Sequence, residues 1–307
     1  MNIFLRSFIA YRLLNKICVG LSKNKKAKSL FKPLIQYWRE IKGIRAIDDA
    51  FIKYVKLKRI GLERHKDQIE SVAFRGSNAD YDYYPDSHSY NLGLTSGDLY
   101  SAYWLYTNNL RKCTNLKNCI LFYSVSCCGL ELVKTVEKYR QVVYSTVFAY
   151  DLPDDARIDK KNLEAIQKHI ENVGVSDCDI SYRGYEKKQY FMTVSANERV
   201  KSHLRENKRE PDQLIWLKKL SAEIDKNHQH LYIVLPPYRS DYRKLLPEKE
   251  IVYNKLFSIH FPESTTIVDF HDANGFDDAD FGDTDHMNEQ GAMKLTRELN
   301  NIINKRT

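Results

Sequence analysis

A carboxylate and an imidazole three residues apart, Asp283 and His286, lie in the segment FGDTDHMNEQGAMKLTRELN at 281–300. On one loop this spacing lets the acid accept from one ring nitrogen while the other nitrogen faces a hydroxyl. The hydroxyl that such a base would serve is Ser77, in FRGSNADY at 74–81. A serine is a weak nucleophile until a base takes its proton, so it must stand on a tight turn, and Gly76 supplies one. The Ser77 amide could also help hold an oxyanion. A Gly-Ser pair after a strand is by itself a common turn; the Asp-x-x-His spacing is the more specific signal. The carboxylates at 277, 278, 280, 283 and 285 depart from the EF-hand spacing, so no metal is expected in this acidic loop.

These groups need a scaffold. Strand-like segments at 69–76, 89–94, 118–124, 230–237 and 265–270 alternate with helical ones at 98–112, 159–173, 196–208, 212–226, 248–260 and 289–304. Ser96 is a candidate cap for the first of these helices and Asn288 for the last. The alternation predicts an α/β domain, a parallel sheet between helices, whose ligands sit beyond the carboxyl ends of the strands. Ser77, residues 94–97, 124–129 and 236–238 all fall at such ends. Residues 1–65 read as a basic helical appendage and 66–307 as the catalytic domain. Within it, 139–192 is a less regular insertion or cap.

The net charge of +8 is unevenly spread. Residues 1–39 hold nine basic side chains and no acid, so the rest of the 307-residue chain is near neutral. That argues against a nucleic-acid-binding body. In the first twenty residues, Phe4, Leu5, Phe8, Ile9, Leu13 and Ile17 recur at helical steps while Arg6, Arg12 and Lys16 interrupt any apolar run. Neither a bilayer span nor a secretory leader is expected from this pattern, which suits residues 1–39 to the surface of an anionic membrane or to a helix docked on the body with a solvated basic face. A cytoplasmic chain, peripheral at the inner membrane, is expected. Cys18, Cys113, Cys119, Cys127, Cys128 and Cys178 show no zinc spacing and read as reduced, buried thiols.

Three blocks together carry a resemblance. A strand leading into Ser77-Asn78, the segment NLGLTSGDL at 91–99, and Asp283-x-x-His286-x-Asn288 before the final helix resemble the SGNH (GDSL-like) hydrolase superfamily over residues 69–307. The resemblance implies a flavodoxin-like three-layer α/β/α domain. It implies Ser77 as nucleophile, Asp283 and His286 as its partners, and an oxyanion donor from the second block at Gly97 or Ser96. The sequence departs from the family in two places. Arg75-Gly76-Ser77 stands where Gly-Asp-Ser is usual. The third block's asparagine is absent after the middle strand, where Ser124 or Ser126 would have to serve. Loss of one such donor typically costs about 100- to 1000-fold in rate.

The resemblance further implies esterase, deacetylase or O-acyltransferase chemistry on a carbohydrate or acylated glycan, in a setting such as bacterial surface glycan biosynthesis. No cofactor is required. Acetyl-CoA is compatible as an acyl donor, although no phosphate-cradling glycine loop is present. Tyr238, Arg239, Tyr242 and Arg243, in VLPPYRSDYRK, are candidate substrate contacts, since arginine forks carboxylates and tyrosine stacks on sugars. His271 and the Cys127-Cys128 pair carry no signal beyond turn and core positions. The missing asparagine supports a second expectation from another class, a catalytically weak or inactive SGNH-like glycan-binding module.

Overall fold

Five short strands lie side by side: β1 (Ser71–Phe74), β2 (Ser89–Leu92), β3 (Asn118–Phe122), β4 (His230–Leu235) and β5 (Thr265–Asp269). A computed structural model describes residues 15, 17–19, 21, 31–176, 182–187, 194–272 and 275–305. All strand pairs are parallel, in the order β2-β1-β3-β4-β5. The inner strands are apolar on both faces, as a parallel sheet covered on both sides requires.

The helices are α1 (Lys32–Arg45), α2 (Asp49–His65), α3 (Gly76–Asp82), α4 (Leu99–Asn108), α5 (Tyr139–Phe148) and α6 (Lys160–Asn172). They continue with α7 (Ala196–Asn207), α8 (Leu214–Lys226), three single-turn helices α9 (Ser240–Arg243), α10 (Lys249–Val252) and α11 (Asn254–Phe257), and α12 (Glu289–Asn304). On one sheet face Ala73, Ile120, Phe122, Tyr232, Val234 and Val268 pack with Ala79 of α3, with Tyr83 just after it, and with Leu295, Leu299 and Ile303 of α12. Val72, Phe74, Cys119, Leu121, Leu231 and Ile233 are equally buried and point the other way. There α8 packs on β4 and on α4, where Tyr100 meets Trp216 with ring centroids 4.8 Å apart. The result is the expected α/β/α arrangement.

The sheet order reverses at β1. The chain leaves β1 for β2 on one side and returns to β3 on the other. In such sheets the crevice opens at that reversal, at the carboxyl ends of β1 and β3. Residues 75–77 and 123–126 follow those ends. At the opposite edge of the site, α12 starts where Asn288 Oδ1 accepts from the Gly291 amide at 3.0 Å. Gly291 is required there, because a Cβ would lie 2.1 Å from the Asp280 carbonyl oxygen.

The chain divides into two compact units, 1–56 with 132–175, and 57–131 with 176–307. This differs from a single boundary at 65. Residues 132–175 cluster with the N-terminal helices because Lys138 Nζ and Tyr139 Oη both donate to Glu40, at 2.9 and 2.7 Å. Gly43 permits the approach, since a Cβ there would meet the Val136 carbonyl oxygen at 2.6 Å. Residues 139–148, expected to be irregular, form α5. Its β-branched and aromatic residues Val142, Val143, Tyr144 and Phe148 are buried, and tertiary packing overrides their weak helix propensity. Two smaller corrections concern helix ends. Asp98, not Ser96, caps α4, its Oδ1 accepting from the Ser101 amide at 2.9 Å, and 248–260 breaks into α10 and α11. Among the described residues no helix is long and apolar enough to cross a membrane. Residues 1–14 and 22–30, most of the proposed membrane-facing arm, lie outside the described residues, as does Cys178.

Candidate active site

The turn before Ser77 is built by two consecutive residues of left-handed backbone, Arg75 at φ 75° and Gly76 at φ 71°. Glycine adopts this freely. At Arg75 the same conformation costs on the order of 1–3 kcal/mol and must be held by its surroundings. Its guanidinium, only 2% exposed, does this by donating from Nη1 to the Phe122 carbonyl at 3.0 Å and to Ser124 Oγ at 3.2 Å. The turn is therefore tied to the end of the neighbouring strand. It delivers Ser77, half-buried, into the first turn of α3, where its amide has no intrahelical acceptor.

Across the crevice, 281–287 forms a tight hairpin loop closed by a bridge between Phe281 and Met287. His286 Nε2 lies 2.8 Å from Ser77 Oγ, and His286 Nδ1 lies 3.0 Å from both carboxylate oxygens of Asp283. Asp283 Oδ1 also accepts from the backbone amides of Asp285 and His286, at 3.0 and 2.8 Å, so the acid is fixed by its own loop. A carboxylate at Nδ1 selects the tautomer protonated there and leaves the Nε2 lone pair toward the serine. Donor atoms of Asp283, Asp285 and His286 fall within 4.8 Å of one another, near enough for a cation. A guanidinium already occupies Asp285, and the two ring nitrogens face Asp283 and Ser77, so the arrangement suits a proton relay.

The loop is clipped to the serine's own helix on both sides of the histidine. Asn78 Nδ2 donates to the Asp285 carbonyl at 2.8 Å, and Asp82 Oδ1 accepts from the Met287 amide at 2.8 Å. Tyr81 stands near right angles to the His286 ring, centroids 5.3 Å apart. Burial pushes the Asp82 carboxyl up to about 7 against the opposing pull of His286, Asn78 and the Met287 amide. With the folded value above the unfolded one, the folded chain binds the extra proton between about pH 4 and 7. Stability is therefore lost through this group as pH rises across that window, at about 1.4 kcal/mol per unit in the limit. Asp82→Asn should remove that slope. Thermal midpoints measured between pH 4.5 and 8 should show the variant gaining on the unaltered protein as pH rises, and parallel curves would refute the assignment.

Other anticipated residues separate. Gly97 is not available as an oxyanion donor, because its amide closes a turn by donating to the Leu94 carbonyl at 2.8 Å. It serves the site sterically instead, since a Cβ would lie 3.3 Å from the Gly76 amide nitrogen. Ser96 is half-buried in the same turn at φ 62°. Ser124 and Ser126 are buried beyond β3. Ser124 Oγ, having accepted from Arg75, keeps its hydroxyl proton for another acceptor.

Tyr238 and Tyr242 are not open substrate contacts. Both are buried, Tyr238 Oη accepting from the Val125 amide at 3.2 Å and Tyr242 Oη lying 2.6 Å from His203 Nδ1. Their polar tips are satisfied inside the fold. Arg239 is folded onto Asp241, with Nε and Nη2 at 2.8 and 2.7 Å from its carboxylate. Arg243 is half-buried beside them. His271 is buried, with Nδ1 3.5 Å from Tyr253 Oη. Burial lifts the Cys127 and Cys128 thiols to about 12 and 11, far from a reactive thiolate at neutral pH.

Arg75, Asn78, Asp82, Asp285 and Arg199 enter the site without having been anticipated in these roles. Asn78 and Asp82 stand four apart on α3, a helical spacing visible in the sequence. For Arg199, on α7, no local signal exists. No family model matches the sequence, and no curated protein matches it.

Proposed function

We propose that this chain performs serine-dependent acyl-ester chemistry on a carbohydrate-type substrate through an acyl-Ser77 intermediate. The observation that carries this is the unbroken relay from Asp283 through His286 to Ser77 Oγ, each link at hydrogen-bond distance. His286 takes the serine proton as Oγ forms its bond to the acyl carbonyl carbon. Asp283 stabilises the resulting imidazolium, which then protonates the departing alkoxide of an ester donor or thiolate of a thioester donor. In the second half, water or a sugar hydroxyl loses its proton to His286 as it attacks the acyl carbon, and His286 returns that proton to Ser77 Oγ as the acyl–Oγ bond breaks. Water makes the enzyme an esterase or deacetylase; a glycan hydroxyl makes it an O-acyltransferase, for which acetyl-CoA is a compatible donor. The Ser77 amide and the Ser124 hydroxyl are the donors we assign to the oxyanion. Tyr81, one turn after Ser77 and set against the His286 ring, supports a sugar-like ligand, since aromatic faces suit its apolar ring face.

The engaged Gly97 amide and the serine in place of a third-block asparagine favour, as second reading, a glycan-binding module of the same fold with little turnover. A fluorophosphonate probe separates the two. Covalent labelling at Ser77, located by peptide mass, is expected and should vanish in Ser77→Ala; folded protein that takes no label supports the binding module. With an aryl acetate donor and an oligosaccharide acceptor, the partition between free acetate and acetylated glycan then reports the acceptor.

A further inference from the structure

The His286 nitrogen that faces Ser77 has a second acidic neighbour. Asp285 Oδ2 lies 3.8 Å from His286 Nε2, against 2.8 Å for Ser77 Oγ. A carboxylate is a far stronger partner than a hydroxyl for a protonated imidazole. Left free, Asp285 would favour a proton on Nε2 and hydrogen-bond to it, leaving the serine without its base. What occupies Asp285 is a guanidinium from a distant part of the chain. Arg199 Nε donates to Oδ1 and Nη2 to Oδ2, both at 2.9 Å, and Thr284 Oγ1 adds a third bond to Oδ1 at 2.9 Å. This planar two-point fork fixes the direction of the carboxylate as well as compensating its charge, which a lysine could not do equally.

We infer that Arg199 is a positioning residue of the acyl-transfer site, whose fork holds Asp285 off His286 so that Nε2 stays aimed at Ser77. This rests on the acyl-serine function proposed above. Asp283 comes from the same loop and faces the opposite ring nitrogen. From α3 come the Asp82 carboxyl and the Tyr81 ring, and from α7 come Arg199 and, one turn on, His203, whose Nδ1 meets Tyr242 Oη of α9. Burial depresses His203 to about 4, so it adds no charge at neutral pH. Burial opposes ionisation of Asp285 too, but His286 and Arg199 outweigh it and hold the carboxyl well below the usual carboxylate range. In the unaltered chain Arg199 therefore both favours the Asp285 anion and sets its aim, and the aim is what keeps it off His286.

The test measures two quantities on the full chain: the pH dependence of fluorophosphonate labelling, and the His286 imidazole titration followed by NMR. In Arg199→Met, Asp285 should swing onto Nε2. The His286 midpoint should rise by about 1–3 pH units, the range produced by an unshielded opposite charge at contact. Labelling at neutral pH should slow at least tenfold, with its acid limb displaced upward by the same amount. Adding Asp285→Asn to Arg199→Met should return both quantities toward those of the unaltered chain, which a merely structural role would not do. An unmoved midpoint in Arg199→Met, or a double variant as impaired as the single one, overturns the inference.

If Arg199→Met does not fold, Asp285→Asn alone decides. With the anion gone and the guanidinium still present, the midpoint should fall below that of the unaltered chain. Loss of labelling as severe as in Asp283→Asn would instead make Asp285 the acid that serves the ring, and would sink the inference. An unaltered chain that takes no label removes the acyl-serine function, whereas the titration still decides whether Arg199 governs His286.

Discussion

Ser77→Ala is expected to lower ester turnover by about 10⁴-fold or more, because removing any member of a serine relay leaves only the contribution of binding and the oxyanion donors. The fold should hardly notice. Ser77 is half-buried, and its side chain gives up one hydrogen bond, to His286. A net loss of about 1 kcal/mol moves the thermal midpoint by only a few degrees. His286→Ala should match it in turnover, and the double variant should be no worse than either single one, since the two act as a unit. Asp283→Asn should lose comparable activity by offering Nδ1 a donor where an acceptor is required. Near-normal turnover in Asp283→Asn, measured with an aryl ester at neutral pH, would mean that the relay does not run through this acid. Activity should also fall on the acid side as the imidazole protonates, because a base must be neutral to take the serine proton.

The scaffold is legible because the strands of a covered parallel sheet carry apolar residues on both faces, so 118–122 and 230–235 stand out from any amphipathic pattern. The terminal helix is equally plain, since Leu295, Leu299 and Ile303 recur at four-residue steps behind an asparagine cap. What pattern could not supply was partnership between segments far apart in sequence. Residues 139–148 read as irregular in isolation and are helical because both branched valines and Phe148 find a buried face. Joining 132–175 to the N-terminal helices depends on Glu40, Lys138 and Tyr139, three polar residues with no periodic signature.

The same contrast runs through the site. Asp283, His286 and Ser77 meet because local spacing places acid and base on one loop, and the strand order brings the serine to it. The rim expected from 238–243 failed for a chemical reason. Tyrosine is as suited to a buried, hydrogen-bonded position as to a sugar-binding surface, and Tyr238 and Tyr242 take the former. Gly97 misled similarly. A glycine packed against the Ser77 turn serves close backbone approach as readily as oxyanion donation, and the Gly97 amide is turned to Leu94. Arg199 reaches Asp285 across 86 positions, a distance at which side-chain type alone says nothing.

The depth at which α3 sits, and hence the position of Ser77, should depend on a buried ion pair behind it. Lys58 Nζ donates to Asp80 Oδ1 at 2.6 Å, and each side chain is 1% exposed. Lys58 also donates to the Asn91 carbonyl at 3.3 Å, while Asn91 Nδ2 donates to the carbonyls of Ala79 and Tyr83, both at 2.7 Å. Lys58 of α2 and Asn91 at the end of β2 thus grip α3 together. Asp80 stands three residues after Ser77, within one helical turn of it. Lys58→Met would leave a carboxylate buried without its counterion, at a cost of about 3–5 kcal/mol, since removing one partner strands the charge of the other. For a unit of this size that corresponds to a fall in thermal midpoint of about 10 °C. Lys58→Met with Asp80→Asn should recover most of it, because a neutral pair has far less to lose on desolvation. Circular-dichroism melts of the two variants decide the matter. A single variant that melts within two or three degrees of the unaltered chain would show that the pair holds nothing in place. If it melts early yet still labels at Ser77 as fast below its midpoint, the ion pair stabilises the fold without setting the position of the serine.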